Sequence, residues 1–152
     1  MTVVVSREGP DTDDARALIE ELEGELEPRY PAASRHGYSV DRLLAQGVAF
    51  FVARVDGRPA GCGGIELVET AYGELKRMYV RPPFRGQGLG RLIVERLEEH
   101  AMANGVTTLR LETGIHQVAA IRLYEALGFV RIAPFGDYVE DPLSRFYERV
   151  IA

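Results

Sequence analysis

The spacing of apolar residues divides the chain into segments of two kinds. Four segments place an apolar residue every three or four positions, which is the period of an amphipathic helix. They are residues 12–27, 40–45, 88–104 and 117–127. Asp11 or Thr12 is the expected cap of the first helix, and Pro28 and Pro31 end it. An irregular stretch is therefore predicted from Pro28 to Tyr38.

The other segments are short, rich in apolar and β-branched residues, and bounded by turn residues, as strands are. They are residues 3–6, 48–55, 59–68, 74–80, 107–113, 129–132 and 144–151. Asp56-Gly57 predicts a hairpin between the second and the third. Antiparallel hairpins thus precede crossovers through helices, which predicts an α/β fold with a mixed sheet. The length of 152 residues suits a single domain over residues 1–152.

Composition narrows the classes of function. Residues 1–27 are strongly acidic and the net charge is −5, which disfavours a nucleic-acid partner. The single cysteine, Cys62, excludes an intrachain disulfide and a thiolate metal cluster, and the histidines lack metal-ligand spacing. No apolar run reaches the length of a membrane span, and residues 1–5 are too short for a signal peptide. We therefore expect a cytoplasmic protein with no metal and no membrane contact.

The segment with the clearest chemistry follows the strand over residues 74–80 and opens the longest helix. It reads Arg85-Gly86-Gln87-Gly88-Leu89-Gly90-Arg91. The three glycines lack Cβ atoms, so successive backbone N–H groups can approach an anion closely. The helix N-terminus adds unpaired donors and a positive dipole end, and the flanking arginines can add charge-assisted hydrogen bonds. The loop therefore predicts a site for phosphate or pyrophosphate.

The order of residues in this loop separates it from two nucleotide-binding loops. A Walker loop requires a lysine followed by serine or threonine, and residues 89–92 contain neither. The dinucleotide fingerprint requires a different glycine spacing and a place in the first βα unit, whereas three or four strands precede this loop. A tight turn with a purely structural role stays the alternative.

A second motif lies one helix and one strand after the loop. Residues 119–129 read Ala-Ala-Ile-Arg-Leu-Tyr-Glu-Ala-Leu-Gly-Phe, and Val80-Arg81-Pro82 precedes the loop. Together these motifs resemble the coenzyme A loop and the following helix-to-strand motif of the GCN5-related N-acetyltransferases (the GNAT superfamily). The segment over residues 133–142 resembles one found in a bacterial subgroup of small-molecule acetyltransferases in this superfamily. The resemblance covers residues 74–132 by motif and most of the chain by the order of elements.

The resemblance implies a twisted mixed sheet of about six or seven strands, flanked by about four helices and splayed between its fourth and fifth strands. The pantetheine arm of acetyl-CoA would lie in that cleft along the backbone of Met78, Tyr79 and Val80, with its pyrophosphate on the loop. Gln117 and Ala120 would complete this wall. Many relatives carry asparagine where this chain has Gln117, which offers the same donor and acceptor on a longer stem.

The resemblance also assigns chemistry to Tyr124. Its phenol could donate a proton or a hydrogen bond to the departing coenzyme A thiolate, or it could be a boundary tyrosine with its hydroxyl in solvent. The attacking ammonium must first lose a proton, and Glu74 and Glu112, on neighbouring strands, are the two candidate bases. Strand alternation places Glu74, Lys76 and Met78 on one face, and Leu75, Arg77 and Tyr79 on the other.

We expect the residues that bind the acetyl acceptor to come mainly from the irregular stretch between Pro28 and Tyr38 and from the aromatic, acidic segment 133–142. The candidate residues are Tyr30, Arg35, His36, Tyr38, His116 and Asp137. The acidic segment could attract a cationic amine, or it could be a solvated hairpin connection. The predicted function is transfer of an acetyl group from acetyl-CoA to the primary amine of a small molecule by direct attack. The alternatives are an acyl-CoA sensor without turnover and a protein or peptide acetyltransferase; a homodimer is also open.

Overall fold

Seven strands and four α-helices form the fold of residues 1–151, the part of the chain that the computed structural model describes. The strands are β1 (Val3–Arg7), β2 (Ala49–Val55), β3 (Arg58–Val68), β4 (Tyr72–Val80), β5 (Thr108–Gly114), β6 (Val130–Ile132) and β7 (Ser144–Val150). The helices are α1 (Asp13–Leu26), α2 (Val40–Ala45), α3 (Leu89–Ala103) and α4 (Val118–Ala126), and 3₁₀ turns occupy Ala32–Ser34 and Pro82–Phe84. Every predicted helix and strand is present, with ends that differ by at most two residues.

Local chemistry explains where the two long helices begin. The Thr12 hydroxyl accepts a hydrogen bond from the backbone N–H of Ala15 at 3.2 Å, which satisfies one of the free donors in the first turn of α1. Of the two caps that the sequence allowed, the observed one is therefore Thr12. Gly88 precedes α3 with φ 81°, a left-handed conformation that glycine adopts without strain.

The strands form one sheet in the order β1-β2-β3-β4-β5-β7-β6. Neighbouring strands are antiparallel except β4 and β5, which pair in parallel only at Gly73 with Leu109 and at Glu74 with Arg110. Beyond Glu74 the two strands separate, so the rest of β4 has no strand partner on that side. The predicted mixed sheet, splayed between its fourth and fifth strands, is confirmed.

Apolar side chains cover both faces of the sheet. On one face α3 buries Ile93 and Leu97 completely, together with residues of α4. On the other face α1 and α2 bury Leu18 and Leu43. Burying one such side chain stabilises the fold by about 1.5–3 kcal/mol. The end of β4 contributes side chains to both layers, with Val80 in the α3 layer and Tyr79 in the α1 layer.

A β-bulge in β4 changes which side chains share a face. Arg77 has φ 54°, and the pairing of β3 with β4 shifts register between Cys62 and Gly64. The α1 face of β4 carries Glu74, Lys76, Arg77 and Tyr79, and the α3 face carries Leu75, Met78 and Val80. The simple alternation predicted for this strand is therefore wrong beyond Lys76, because the bulge inserts one extra residue. As a result Lys76 and Arg77 both face α1.

Candidate active site

Two cavities open where β4 and β5 separate. The large cavity, of about 610 Å³, lies between the glycine-rich loop, the end of β4 and the start of α4. The small cavity, of about 110 Å³, is lined mainly by residues 34–37, 74–78 and 111–114. The residues that line both cavities are Leu22, Met78, Gln117, Ala120 and Tyr124. The side chain of Tyr124 therefore lies where the two cavities meet.

The glycine-rich loop forms one end of the large cavity. Gly86 and Gly88 have φ of 77° and 81°, and no atom lies within 4 Å of the position that a Cβ would take on either residue. Both are exposed, and the N-terminus of α3 follows directly. Unpaired backbone N–H groups at such a helix start favour a negatively charged group. The turn thus has the backbone geometry that the predicted anion site requires.

Gly90 differs from the other two glycines of the loop. A Cβ on Gly90 would come within 2.7 Å of Cδ2 of Leu123. The missing side chain therefore allows the first turn of α3 to pack closely against α4. The sequence grouped the three glycines together, whereas the structure separates helix packing at Gly90 from turn geometry at Gly86 and Gly88.

The polar side chains of the loop are held in different ways. Arg85 donates to the carbonyl oxygen of Val80 at 2.8 Å and pairs with Glu25 of α1 at 2.7 Å, so it connects the loop to α1. Arg91 is exposed on the first turn of α3 and lines the large cavity, as buried Leu89 does. Gln87 is also exposed, but it lies outside the cavity wall.

The end of β4 forms a second wall of the large cavity. Met78, Tyr79 and Val80 all line it. The phenol of Tyr79 is buried in the α1 layer, with its hydroxyl 3.3 Å from a carboxylate oxygen of Glu21. An unpaired strand edge of this kind can accept an extended chain as an added strand.

Tyr124 is held rigidly between the cavities. Its side chain is buried on α4, and its ring lies edge-on to Phe129 with 5.7 Å between the ring centroids. Burial, and then the negative charge of Glu112, raise the pKa of Tyr124 far above that of a free phenol. The phenol therefore stays protonated at neutral pH and is available as a donor.

A group of polar residues joins the end of α1 to the start of α4. The Tyr30 hydroxyl accepts a hydrogen bond from the backbone N–H of His116 at 2.8 Å and lies 3.5 Å from the Gln117 side-chain oxygen. The Tyr30 ring fits over Gly114, where a Cβ would overlap it. Tyr30 lines the small cavity, His116 lines the large one, and Gln117 lines both. The three predicted residues are thus brought together.

One carboxylate oxygen of Glu74, Oε2, holds both of its side-chain contacts. It pairs with the Lys76 ammonium at 2.8 Å and accepts a hydrogen bond from the Tyr138 hydroxyl at 2.5 Å. Lys76 also donates to Tyr138 and lies 3.9 Å from the centre of the Tyr38 ring. Glu74, Lys76 and Tyr38 are buried and Tyr138 is partly buried, so this network is shielded from solvent.

Glu112 has a different environment on β5. It lines the small cavity and accepts one hydrogen bond, from the Ser144 hydroxyl at 2.8 Å. Burial raises the pKa of Glu112 to about 7, while the bond from Ser144 and the charge of Lys76 oppose that rise. Glu112 can therefore take up and release a proton near neutral pH.

The remaining acceptor-side candidates divide between the cavity wall and its surroundings. Arg35 and His36 line the small cavity. Tyr38 lies behind Lys76 in the α1 layer and donates to Glu66 at 2.7 Å, so it is not part of the wall. Asp137 is exposed and also lies outside the wall.

Tyr138 and Ser144 belong to the site, although the sequence did not single them out. Tyr138 lines the small cavity beside Asp137, and its ring packs on those of Phe135 and Phe146. The aromatic character of segment 133–142 was the available signal for Tyr138. Ser144 had no signal, because its contact with Glu112 depends on the pairing of β7 with β5.

Neither a cluster of metal ligands nor a membrane-spanning helix is found in residues 1–151. No three His, Cys, Asp or Glu side chains in this range are arranged to hold a metal ion. Likewise, no helix in this range has both the length and the apolar character needed to cross a membrane.

The class of protein follows from comparison with known families. The model of the acetyltransferase (GNAT) family matches residues 14–129, a range that includes both cavity-forming motifs. The chain belongs to this family, which agrees with the resemblance found in its sequence. It is accordingly an acetyl-CoA-dependent acyltransferase.

Individual relatives agree with this assignment over nearly the whole chain. An IAA acetyltransferase of Azospirillum brasilense is 45% identical over 148 residues, which cover 97% of each chain. A Klebsiella pneumoniae structure named as an acyl-CoA N-acyltransferase is 36% identical, with a TM-score of 0.85 and coverage of 99% of each chain. The PaiA N-acetyltransferase from Thermoplasma acidophilum, solved in complex with coenzyme A, has a TM-score of 0.76 at 18% identity, a likeness of fold alone.

Proposed function

We propose that this protein transfers the acetyl group of acetyl-CoA to the primary amine of a small molecule, by direct attack of the amine on the thioester. The proposal is carried by the meeting of two cavities of different size at Tyr124. The large cavity suits a long substrate with an anionic end, and the small cavity suits the reacting end of a small amine. The names of relatives, which include acetyltransferases, support the same reaction.

The residues of the large cavity fit coenzyme A. The backbone edge at Met78 and Val80 would bind the amides of the pantetheine arm as a strand does, with Gln117 on the opposite wall. Backbone N–H groups at Gly86 and Gly88 would bind the pyrophosphate, helped by the exposed charge of Arg91. When bound, acetyl-CoA supplies the activated acetyl group as a thioester.

The proton transfers of the reaction can then be assigned to residues of this chain. The nitrogen attacks only after its ammonium has lost a proton, which Glu112 accepts directly or through one water and passes to solvent. The N–C bond forms and the C–S bond breaks, so that the electron pair goes to sulfur. Tyr124 donates its phenolic proton to sulfur, and the second proton, which leaves nitrogen as the amide forms, returns to Tyr124 directly or through one water.

Of the two candidate bases, Glu112 is favoured over Glu74. A base must be able to accept a proton at the working pH and must have a free lone pair directed at the substrate. The Lys76 ammonium, 2.8 Å from Oε2 of Glu74, compensates the charge of that carboxylate, whereas Glu112 has no ion pair within residues 1–151 and has a pKa raised to about 7. Glu74 is then a structural partner of Lys76.

Two alternatives differ in what they predict. An acyl-CoA sensor would bind the coenzyme without turnover, whereas the place of Glu112 on the wall of the small cavity, with a pKa raised by burial to about 7, favours an enzyme. A protein acetyltransferase would place the amine end of a peptide in the small cavity and the rest of the peptide outside it, so peptides belong among the acceptors that are tested.

The deciding experiment is release of the coenzyme A thiol from acetyl-CoA across a panel of primary amines, with Tyr124→Phe as the comparison variant. We expect amine-dependent release, and a fall in kcat of about 10²-fold for Tyr124→Phe with unchanged coenzyme A affinity. Tight coenzyme A binding without turnover on the whole panel would instead support the sensor, and turnover of peptides alone would support the protein acetyltransferase.

A further inference from the structure

The charged groups on the wall of the small cavity are unequally paired. The cations are Arg35, Lys76 and Arg77, and the carboxylates are Glu74 and Glu112. Glu74 is paired with Lys76 at 2.8 Å. Glu23, which lies on α1 outside the wall, is paired with Arg77 at 2.5 Å. Within each of these two pairs the opposite charges compensate one another. The charged wall residues outside the two pairs are Arg35 and Glu112.

Arg35 is a cation with little compensation. Its Nη1 lies 3.7 Å from Glu23, whose other carboxylate oxygen is occupied by Arg77. Its Nε is the one buried side-chain nitrogen or oxygen in residues 1–151 without a hydrogen-bond partner. A buried donor left unpaired costs about 1–3 kcal/mol, so a ligand that supplies an acceptor there recovers stability.

Glu112 is the corresponding group of opposite sign. It forms no ion pair within residues 1–151, and its single side-chain partner is the neutral hydroxyl of Ser144. The cavity therefore has one available carboxylate and one available guanidinium. A ligand that carries both an ammonium and an anionic group complements this pair, because each of its charges meets an unpaired opposite charge.

We propose that the acceptor is a zwitterionic amine, an amino acid or a related amine that bears a carboxylate, with its amine at Glu112 and its carboxylate at Arg35. This inference rests on the proposed function and adds the substrate class. A planar guanidinium binds a carboxylate through two parallel hydrogen bonds, which a lysine cannot reproduce. Arg35 lines the small cavity and not the large one.

The same charges argue against polyamines. A diamine carries a second cation, which would meet Arg35, Lys76 and Arg77 without a free carboxylate to pair with. The acidic segment that could have attracted such an amine does not supply that carboxylate. Asp137 lies outside the wall, and Asp141 is bonded to Ser34 and to the backbone of Leu143.

The test uses matched acceptors, in which each α- or ω-amino acid is compared with its carboxamide, together with α,ω-diamines. For the preferred amino acid we expect a kcat/KM at least ten times that of its amide. Arg35→Gln should lower kcat/KM for the amino acid by about 10–100-fold and leave the amide within two-fold, because hydrogen bonds to charged groups contribute about 1.5–3 kcal/mol. Arg35→Lys should restore part of the loss.

Controls separate this role from folding. Arg131→Gln removes an exposed arginine on β6 that lines neither cavity, and it should match wild type for every acceptor. Circular dichroism should give all variants the wild-type melting profile. Calorimetry should also show weaker binding of the N-acetyl amino acid product, a carboxylate without an amine, to Arg35→Gln.

The possible outcomes are distinguishable. Equal use of amino acids and amides, a preference for diamines, or equal losses for both members of a pair in Arg35→Gln would each overturn the inference while leaving an N-acetyltransferase. No thiol release with any amine would instead overturn the proposed function. In that case, Arg35-dependent binding of the amino acid itself would still support the site, and its absence would refute it.

Discussion

The two cavities are constructed from different kinds of groups. The large cavity uses backbone, namely the turn at Gly86 and Gly88, the start of α3 and the free edge of β4. The small cavity uses charged side chains from separate segments of the chain, such as Arg35, Glu74 and Glu112. Backbone recognition suits a substrate that is the same throughout a family, whereas side chains can change with the acceptor.

If this division is correct, changes in one cavity should leave binding in the other unaffected. The two meet at Tyr124 and at few other residues, so each can be altered separately. Measuring coenzyme A affinity and acceptor kcat/KM for the same variants therefore tests the division directly.

The largest effect is expected for Glu112→Gln. The amide cannot accept the proton of the ammonium, and loss of a general base typically lowers the rate by about 10²–10⁴-fold. The dissociation constant of coenzyme A, measured by calorimetry, should stay within two-fold of wild type. Glu99→Gln, which changes an exposed carboxylate on α3, is the matched control and should be fully active. A loss of less than ten-fold for Glu112→Gln would mean that the base lies elsewhere.

Gly88→Val should affect the large cavity, where it should weaken the binding of coenzyme A. A β-branched residue at φ 81° strains the backbone by about 1–3 kcal/mol and turns the loop N–H groups away from the pyrophosphate. We expect coenzyme A to bind about 10–100-fold more weakly, measured by calorimetry. Gly24→Ala, at an exposed helical position of α1 with nothing within 4 Å, should keep full affinity. Unchanged affinity in Gly88→Val would contradict recognition through the turn.

A smaller effect is expected for Tyr138→Phe. The change removes one hydroxyl that bonds Glu74 and Lys76, and a typical hydrogen bond contributes about 0.5–1.5 kcal/mol. The acceptor KM should rise by a few-fold while coenzyme A affinity is unchanged. Steady-state kinetics with varied acceptor measure the first, and calorimetry measures the second. A change confined to coenzyme A would show that this network belongs to the other cavity.

The large cavity could be predicted from sequence because its parts are local. The turn glycines, the helix start and Tyr124 lie in two short motifs, and glycine allows the left-handed backbone of the turn whatever lies around it. The role of Gly90 could not be predicted from the motif, because its missing side chain makes room for Leu123, which lies on another helix. The spacing of apolar residues likewise predicted the order of helices and strands along the chain.

The small cavity could be predicted only in part because its contacts are between distant segments. The bulge at Arg77 depends on the pairing of β4 with β3, so alternation alone misplaced the side chains beyond Lys76. The choice between Glu74 and Glu112 depends on Tyr138 and Ser144, which come from the end of the chain. The sequence predicted two carboxylates as candidate bases, and only their hydrogen-bond and ion-pair partners in the structure distinguish the two.

The pH dependence of kcat/KM for the acceptor tests Glu112 as the base most directly. Since burial raises the pKa of Glu112 to about 7, and the base must be deprotonated to act, the rate should fall about ten-fold per pH unit below that value. Above it, kcat/KM should be level until the acceptor amine itself titrates, and Glu74→Gln should keep a break, moved to lower pH because the charge of Glu74 helps to raise the pKa of Glu112. A rate that rises without a break up to the pKa of the amine, or a break that disappears in Glu74→Gln, would contradict the account.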